Sequence, residues 1–231
     1  MFVLSLESST RVASVALFND SNCIEFITTD KPRSMSEFFN TQIESILLKE
    51  NLDLKQIHHF AISTGPGSFT GIRVSGNITK TLAYSTKKKI WATDSLSILA
   101  EQADGAKNVL CCINAFKNMV YVASYKSKQM IDGPSVIKCS NINEYLSKNF
   151  LNDKLAVVGD GWEIISSELN SKFKEQTVYN SNLVHFPSAK TLGQMAIQKK
   201  SLNQTIDWNL YLPLYLRSSE AEENLRLSAS E

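Results

Sequence analysis

The chain has 231 residues, of which 43% are hydrophobic and 20% charged, and its formal net charge is +1. That length and composition suit one large or two small globular domains with a real core and exclude a chain that stays disordered. The near-neutral balance excludes a strong global field towards nucleic acid or anionic lipid. The apolar start, Met1 to Leu6, is ended by Glu7 and is too short for a signal peptide or a spanning helix. A cytoplasmic protein without membrane contact is therefore expected. Cys23, Cys111, Cys112 and Cys139 show no C-x-x-C spacing and read as reduced core thiols.

In chain order, residues 2–6, 12–18 and 23–28 are rich in branched and apolar side chains and predict an opening β-meander. Ser34 with Glu37 has capping-box spacing. Behind it Met35, Phe38, Phe39, Ile43, Ile46 and Leu47 recur at the three-and-four spacing of an amphipathic helix. A strand at 57–63, a glycine-rich loop, a helix at 72–86 and a strand at 90–93 follow. The same order then starts again, with strands at 109–113, 120–125 and 135–139, a helix at 142–150, a strand at 155–158, a helix at 162–169, a short strand at 183–185 and a helix at 188–199. This repeated order predicts two similar α/β lobes that meet near the polar stretch from Gln102 to Lys107.

The sharpest local signal is Gly65-Pro66-Gly67-Ser68-Phe69-Thr70-Gly71-Ile72-Arg73, between a buried strand and a helix. Glycines let a backbone approach a ligand or another backbone closely, and a helix start attracts anions. The spacing matches neither common phosphate loop: Thr70 stands where the dinucleotide pattern needs glycine, and Ile72 follows Gly71 where a P-loop needs lysine. A phosphate cradle and a tight strand-to-helix turn both remain open on spacing alone.

Thr64 to Arg73 resembles the signature loop of the TsaB family, also called YeaZ. Other pieces agree in order: Leu4-Ser5-Leu6-Glu7-Ser8-Ser9-Thr10, Val12 to Leu17, Ile113-Asn114-Ala115 with Val120-Tyr121, and Pro213-Leu214-Tyr215-Leu216-Arg217. The resemblance implies two RNase-H-like lobes of the actin, sugar-kinase and acetate-kinase superfamily. It gives an N-terminal lobe at 1–104, a C-terminal lobe at 105–217 whose last helix packs back on the first, and a polar tail at 218–231. It also implies a subunit that binds and supports a TsaD-like transferase, which places threonylcarbamoyl on the adenosine beside a tRNA anticodon. A TsaE-like ATPase would join the complex, tRNA would be met indirectly, and the chain alone would pair with itself.

Against that family background the residues point to a subunit without catalytic residues or metal ligands of its own. TsaD holds a metal through a His-x-x-x-His pair, whereas the corresponding helix here has no histidine. His58 and His59 are adjacent, so on a strand they would face opposite ways. Active superfamily members place a carboxylate at the start of each lobe; here those positions are Glu7 and the uncharged Asn114. The nucleotide-binding candidates are Glu7, Gly65, Gly67, Ser68 and Asp160. The chain itself is expected to require no cofactor, and an adenine nucleotide in the complex is left open.

Ser75, Gly76, Thr79 and Ala83 form a stripe of small residues that would let another helix approach closely. Together with Met35, Phe38, Phe39, Gln42, Arg73 and Lys80 they are the expected partner interface; the alternative is that both helices merely cover their own sheet. Lys87-Lys88-Lys89 could meet tRNA phosphates or simply complement a helix C-terminus. Two rival functions share the fold: a self-sufficient nucleotide-dependent kinase or ATPase using Glu7, the glycine loop and Asp160, and a homodimeric nucleotide-binding regulator.

Overall fold

A computed structural model describes residues 1–30, 34–103, 105–178, 185–198 and 204–218. The opening apolar runs fold as β1 (Phe2–Glu7), β2 (Val12–Asn19) and β3 (Asn22–Asp30), an antiparallel meander. After α1 (Met35–Lys49) the chain returns as β4 (Ile57–Ser63), parallel to β1. After α2 (Phe69–Thr86) it adds β5 (Lys89–Thr93), parallel to β4. The sheet order is β3-β2-β1-β4-β5.

Both faces of this sheet are covered, so Val3, Leu4 and Leu6 of β1 and Phe60, Ala61 and Ile62 of β4 are all fully buried. On one face Leu4, Leu6, Val15, Leu17 and Phe60 pack with Phe39, Ile43 and Ile46 of α1. Full burial of side chains this size contributes about 1.5–3 kcal/mol each. Ser34 starts α1 by accepting from the Glu37 N–H at 3.2 Å. On the other face Val3, Ala16 and Phe18 meet α7 (Ala189–Ile197). The buried serines there serve that helix: Ser14 Oγ accepts from Ala189 N–H at 2.8 Å, and Ser5 Oγ donates to the Ala189 carbonyl at 2.7 Å.

The second half repeats the plan. β6 (Asn108–Asn114), β7 (Met119–Lys126) and β8 (Gln129–Lys138) form an antiparallel meander; β9 (Leu155–Val158) lies parallel to β6, and β10 (Thr177–Val178) lies beside β9. The order β10-β9-β6-β7-β8 matches the first sheet strand for strand. Its outer face is covered by α4 (Ile142–Asn149), α5 (Trp162–Ile165) and α6 (Ser171–Gln176). Cys111 and Cys112 point to opposite faces as strand alternation requires, and all four cysteines are free thiols.

The largest difference from the sequence reading is α3 (Ser95–Gln102), in a stretch to which no element was assigned. It is capped by Asp94, which accepts from the Ser97 N–H at 2.8 Å. Leu96 and Leu99 join the core of the second sheet and Ile98 that of the first, so α3 is wedged between the two. The helix expected at 162–169 shortens to α5, and β8 starts six residues earlier than 135. Of the strand expected at 183–185, residues 183–184 lie outside the described residues and His185 is in no strand. The tail beyond Ser218 also lies outside them. No helix among the described residues is long and apolar enough to cross a membrane.

The closing segment returns along the first lobe. Ile206 pairs with Ile90 through two backbone hydrogen bonds of 2.9 and 2.7 Å, and a 3-10 turn spans Trp208–Leu210. Tyr211 then enters the core, 2% exposed, and its hydroxyl donates to the Ser63 carbonyl at 3.1 Å. Replacing Tyr211 with alanine should lower stability by about 3–5 kcal/mol, because the cavity sits between β4 and α2. Tyr211→Phe should cost about 1 kcal/mol, the loss of one hydrogen bond. Urea unfolding of the two variants checks both figures.

Candidate functional site

The glycine loop closes onto the turn after β1. The Ser68 N–H donates to the Ser9 carbonyl at 2.6 Å, and a Cβ on Gly67 would overlap that same carbonyl. One turn into α2, a Cβ on Gly71 would overlap the Ser8 carbonyl, and Ser8 Oγ donates to the Gly71 carbonyl at 2.9 Å. Glycine is needed here for backbone-to-backbone contact. Ser68 also caps α2 by accepting from the Gly71 N–H at 3.2 Å, and the Gly65 N–H is bonded to Ser63 Oγ. Three donors that a phosphate cradle would offer are thus engaged inside the protein.

Glu7 lies beneath this joint, fully buried. Its Oε1 accepts from the Ser9 N–H at 2.6 Å and the Ser9 hydroxyl at 2.5 Å. Oε2 has no hydrogen-bond partner of normal geometry, although the Ser63 hydroxyl lies near enough to favour the ionised form. Burial outweighs those hydrogen bonds and pushes the carboxyl above its ordinary range.

In the second lobe Asp160 follows β9 and accepts from the Asn114 N–H at 3.0 Å. Burial raises its carboxyl too, opposed by that bond and by Arg11 of the β1–β2 turn. Asp160 and Asn114 are thus brought together, while Glu7 is engaged separately with Ser9. Among the described residues, no three His, Cys, Asp or Glu side chains are grouped to hold a metal. His58 accepts from the Phe2 N–H at 3.0 Å, and burial lowers the His59 pKa.

Between the lobes, at the start of α2, lies a recess of about 380 Å³ lined by Phe69, Phe116, Lys117, Tyr121, Tyr215 and Arg217 among others. Arg73 lies over the Phe69 ring at 3.7 Å and donates to the Tyr215 hydroxyl at 3.0 Å. Arg217 donates to the Ala115 carbonyl. The closing segment thereby joins α2 of one lobe to the β6–β7 hairpin of the other. Sequence reasoning gave Tyr215 and Arg217 no site role, because no spacing rule links positions 73 and 215.

The expected interface divides in two. Ser75, Gly76, Thr79 and Ala83 are buried, and a Cβ on Gly76 would lie 2.9 Å from the Tyr211 ring. Phe39 is fully buried as well. Within the stripe, Gly76 faces this chain's own Tyr211. Met35, Phe38, Gln42 and Lys80 remain partly accessible, and Arg73 is exposed but held at the recess. Beside them a groove of about 330 Å³ runs between α1 and α2, lined by Ile43, Leu47, Leu48, Leu52, Ile78 and Leu82.

Two sheets of identical strand order, each an antiparallel meander extended by parallel strands, with a cleft between them, define the two-lobed architecture of the actin, sugar-kinase and acetate-kinase superfamily. Residues 29–225 match the family model described as TsaD: tRNA N6-adenosine threonylcarbamoyltransferase. The chain belongs to this family and, within it, to the TsaB/YeaZ group. It is 29% identical to the tRNA threonylcarbamoyladenosine biosynthesis protein TsaB of Buchnera aphidicola subsp. Schizaphis graminum over 82% of this chain and 90% of that one. It is 27% identical to TsaB of Escherichia coli over 97% and 98%. The solved structure of YeaZ from Pseudomonas aeruginosa superposes with a TM-score of 0.79, at 22% identity, over 93% of this chain and 99% of that one.

Two substitutions test the joint. Gly67→Ala should cost about 1–3 kcal/mol in urea unfolding, because the Ser9 carbonyl must move. Glu7→Gln should remove a pH dependence. A carboxyl raised on folding binds its proton more tightly in the native state, so parent stability should fall as pH rises from the unfolded-state pKa to the raised one. The stability of the glutamine variant relative to the parent should therefore increase over that window. A pH-independent difference would contradict the buried, proton-retaining carboxyl.

Proposed function

We propose that this chain is a non-catalytic subunit of the machinery that makes threonylcarbamoyladenosine in tRNA. It binds and supports a TsaD-like transferase, with a TsaE-like ATPase acting on the complex and tRNA met through it. The observation that carries the reading is the sealed Glu7. The first-lobe carboxylate lies under a backbone joint with Oε1 held by Ser9, where a metal–nucleotide site would need it open. The TsaB names of the relatives supply the pathway.

Docking uses the outer flank of α1 and α2, along the groove that Leu48 borders while 71% exposed. Met35, Phe38, Gln42 and Lys80 border the same helix pair. Without its partner the chain pairs with itself through this flank, and it requires no cofactor of its own. Mixing the chain with the TsaD-like transferase of the same organism should give a complex on size exclusion at micromolar concentration. Leu48→Glu should weaken that complex about tenfold or more. Two unassociated peaks for the parent pair would overturn the reading.

The recess at the start of α2 favours a second reading, a nucleotide-binding regulator or weak ATPase. It places aromatic rings beside Lys117 and Arg217. Calorimetry with ADP and ATP, on the chain and on the complex, separates the two: heat of binding to the isolated chain favours the second.

A further inference from the structure

The C-terminal end of α2 carries a second surface that shares only Lys80 with the docking flank. Lys80 and Tyr84 lie one turn apart on that helix. Lys87 ends it in the left-handed conformation (φ 55°), and Lys88 and Lys89 lead into β5. The closing segment brings Trp208 against them. Its ring centroid is 5.1 Å from that of Tyr84 in an edge-on arrangement and 6.0 Å from Lys80 Nζ. Tyr84 is 64% exposed and Trp208 38%. The recess they border measures about 640 Å³, and Asp207, 3.7 Å from Lys89, is the one carboxylate lining it among the described residues.

Lysines after a helix are common, and by themselves they complement its dipole. Two features here go further. In a chain of net charge +1, four lysines gather around two accessible aromatic faces. The tryptophan is also held in place rather than left on a free loop. The Ile206–Ile90 bridge fixes the chain two residues before it, and buried Tyr211 fixes it three residues after. A pre-positioned ring beside cations suits a polyanion with unstacked bases: lysines meet phosphates, and aromatic faces accept a base of any sequence. A protein partner would leave most of these lysines needing carboxylates.

We propose that this surface binds a single-stranded stretch of RNA, with Lys80, Lys87, Lys88 and Lys89 on the phosphates and Trp208 and Tyr84 stacking a base. The inference rests on the tRNA reading above for its RNA, but not on the docking flank.

The test uses fluorescence anisotropy of the full chain with an unmodified tRNA transcript, an unstructured oligouridine and a fully paired RNA duplex, across a salt series. The same variants are run on size exclusion with the transferase. The triple variant K87A/K88A/K89A should weaken binding to tRNA and oligouridine about tenfold and flatten the slope of log K against log salt by about 2. Trp208→Ala should weaken oligouridine binding about fivefold or more and leave duplex binding unchanged. Tyr84→Ala, whose ring is mostly exposed, repeats that readout without touching the closing segment. Complex formation should be unaffected. Unchanged RNA affinity and salt slope in the variants overturn the inference even if the complex forms, and no RNA binding by the parent chain does the same. Loss of the complex with RNA binding intact also overturns it, because the surface would then face a protein. Variant-sensitive RNA binding without any complex sustains the inference and removes the docking reading.

Discussion

The structure depends on one backbone contact, the glycine loop lying against the carbonyls of Ser8 and Ser9. A side chain at Gly67 would hold the two segments apart, and much is built from their closeness. The contact fixes where α2 starts. It also fixes α3, because the Ser95 N–H donates to the Gly65 carbonyl at 2.8 Å and Ser95 Oγ to the Pro66 carbonyl at 2.5 Å. The closing segment attaches to the same loop where the Leu214 N–H donates to the Thr64 carbonyl. One tight turn therefore orients two helices and the returning chain, and it seals Glu7 as a consequence.

The second lobe makes the corresponding contact. The loop after β9 rests on the Cys112 carbonyl, which accepts from the Gly161 N–H at 3.1 Å, and Gly159 leaves no room there for a Cβ. The joint thus belongs to the duplicated scaffold. The carboxylates do not follow the duplication. In the first lobe the acid stands at the end of β1. In the second, Asn114 occupies that end and the acid has moved to Asp160 in the opposing loop, bonded to the Asn114 backbone. Here each acid is turned to a neighbour in its own lobe.

The strands were legible because both sheets are covered on two faces, which makes β2, β6 and β7 dense apolar runs bounded by turn residues. The cap Ser34 was legible for the same local reason. What escaped was non-local. α3 is only eight residues long and divides its apolar side chains between two cores, so it shows no single stripe. The small-residue stripe on α2 was legible as a pattern. Tyr211, the ring that Gly76 faces, lies 135 positions further along, and periodicity within a helix cannot say what a small residue faces. The glycine loop left two readings open because a phosphate and a backbone carbonyl ask the same thing of a glycine: room.

The closing segment changes what the first lobe offers to other molecules. It meets Gly76 of α2 through Tyr211, ties Arg73 at the recess through Tyr215, and reaches the second lobe through Arg217. The flank facing α1 and the lysine-bearing end are left open on α2. The flank is apolar and grooved; the end is cationic and aromatic. Surfaces of such different chemistry on one helix suit two different partners, and neither needs the cleft to be chemically active. The segment that meets Gly76 also positions Trp208, so the integrity of the first lobe's core and the shape of its outer surface are set by the same fifteen or so residues.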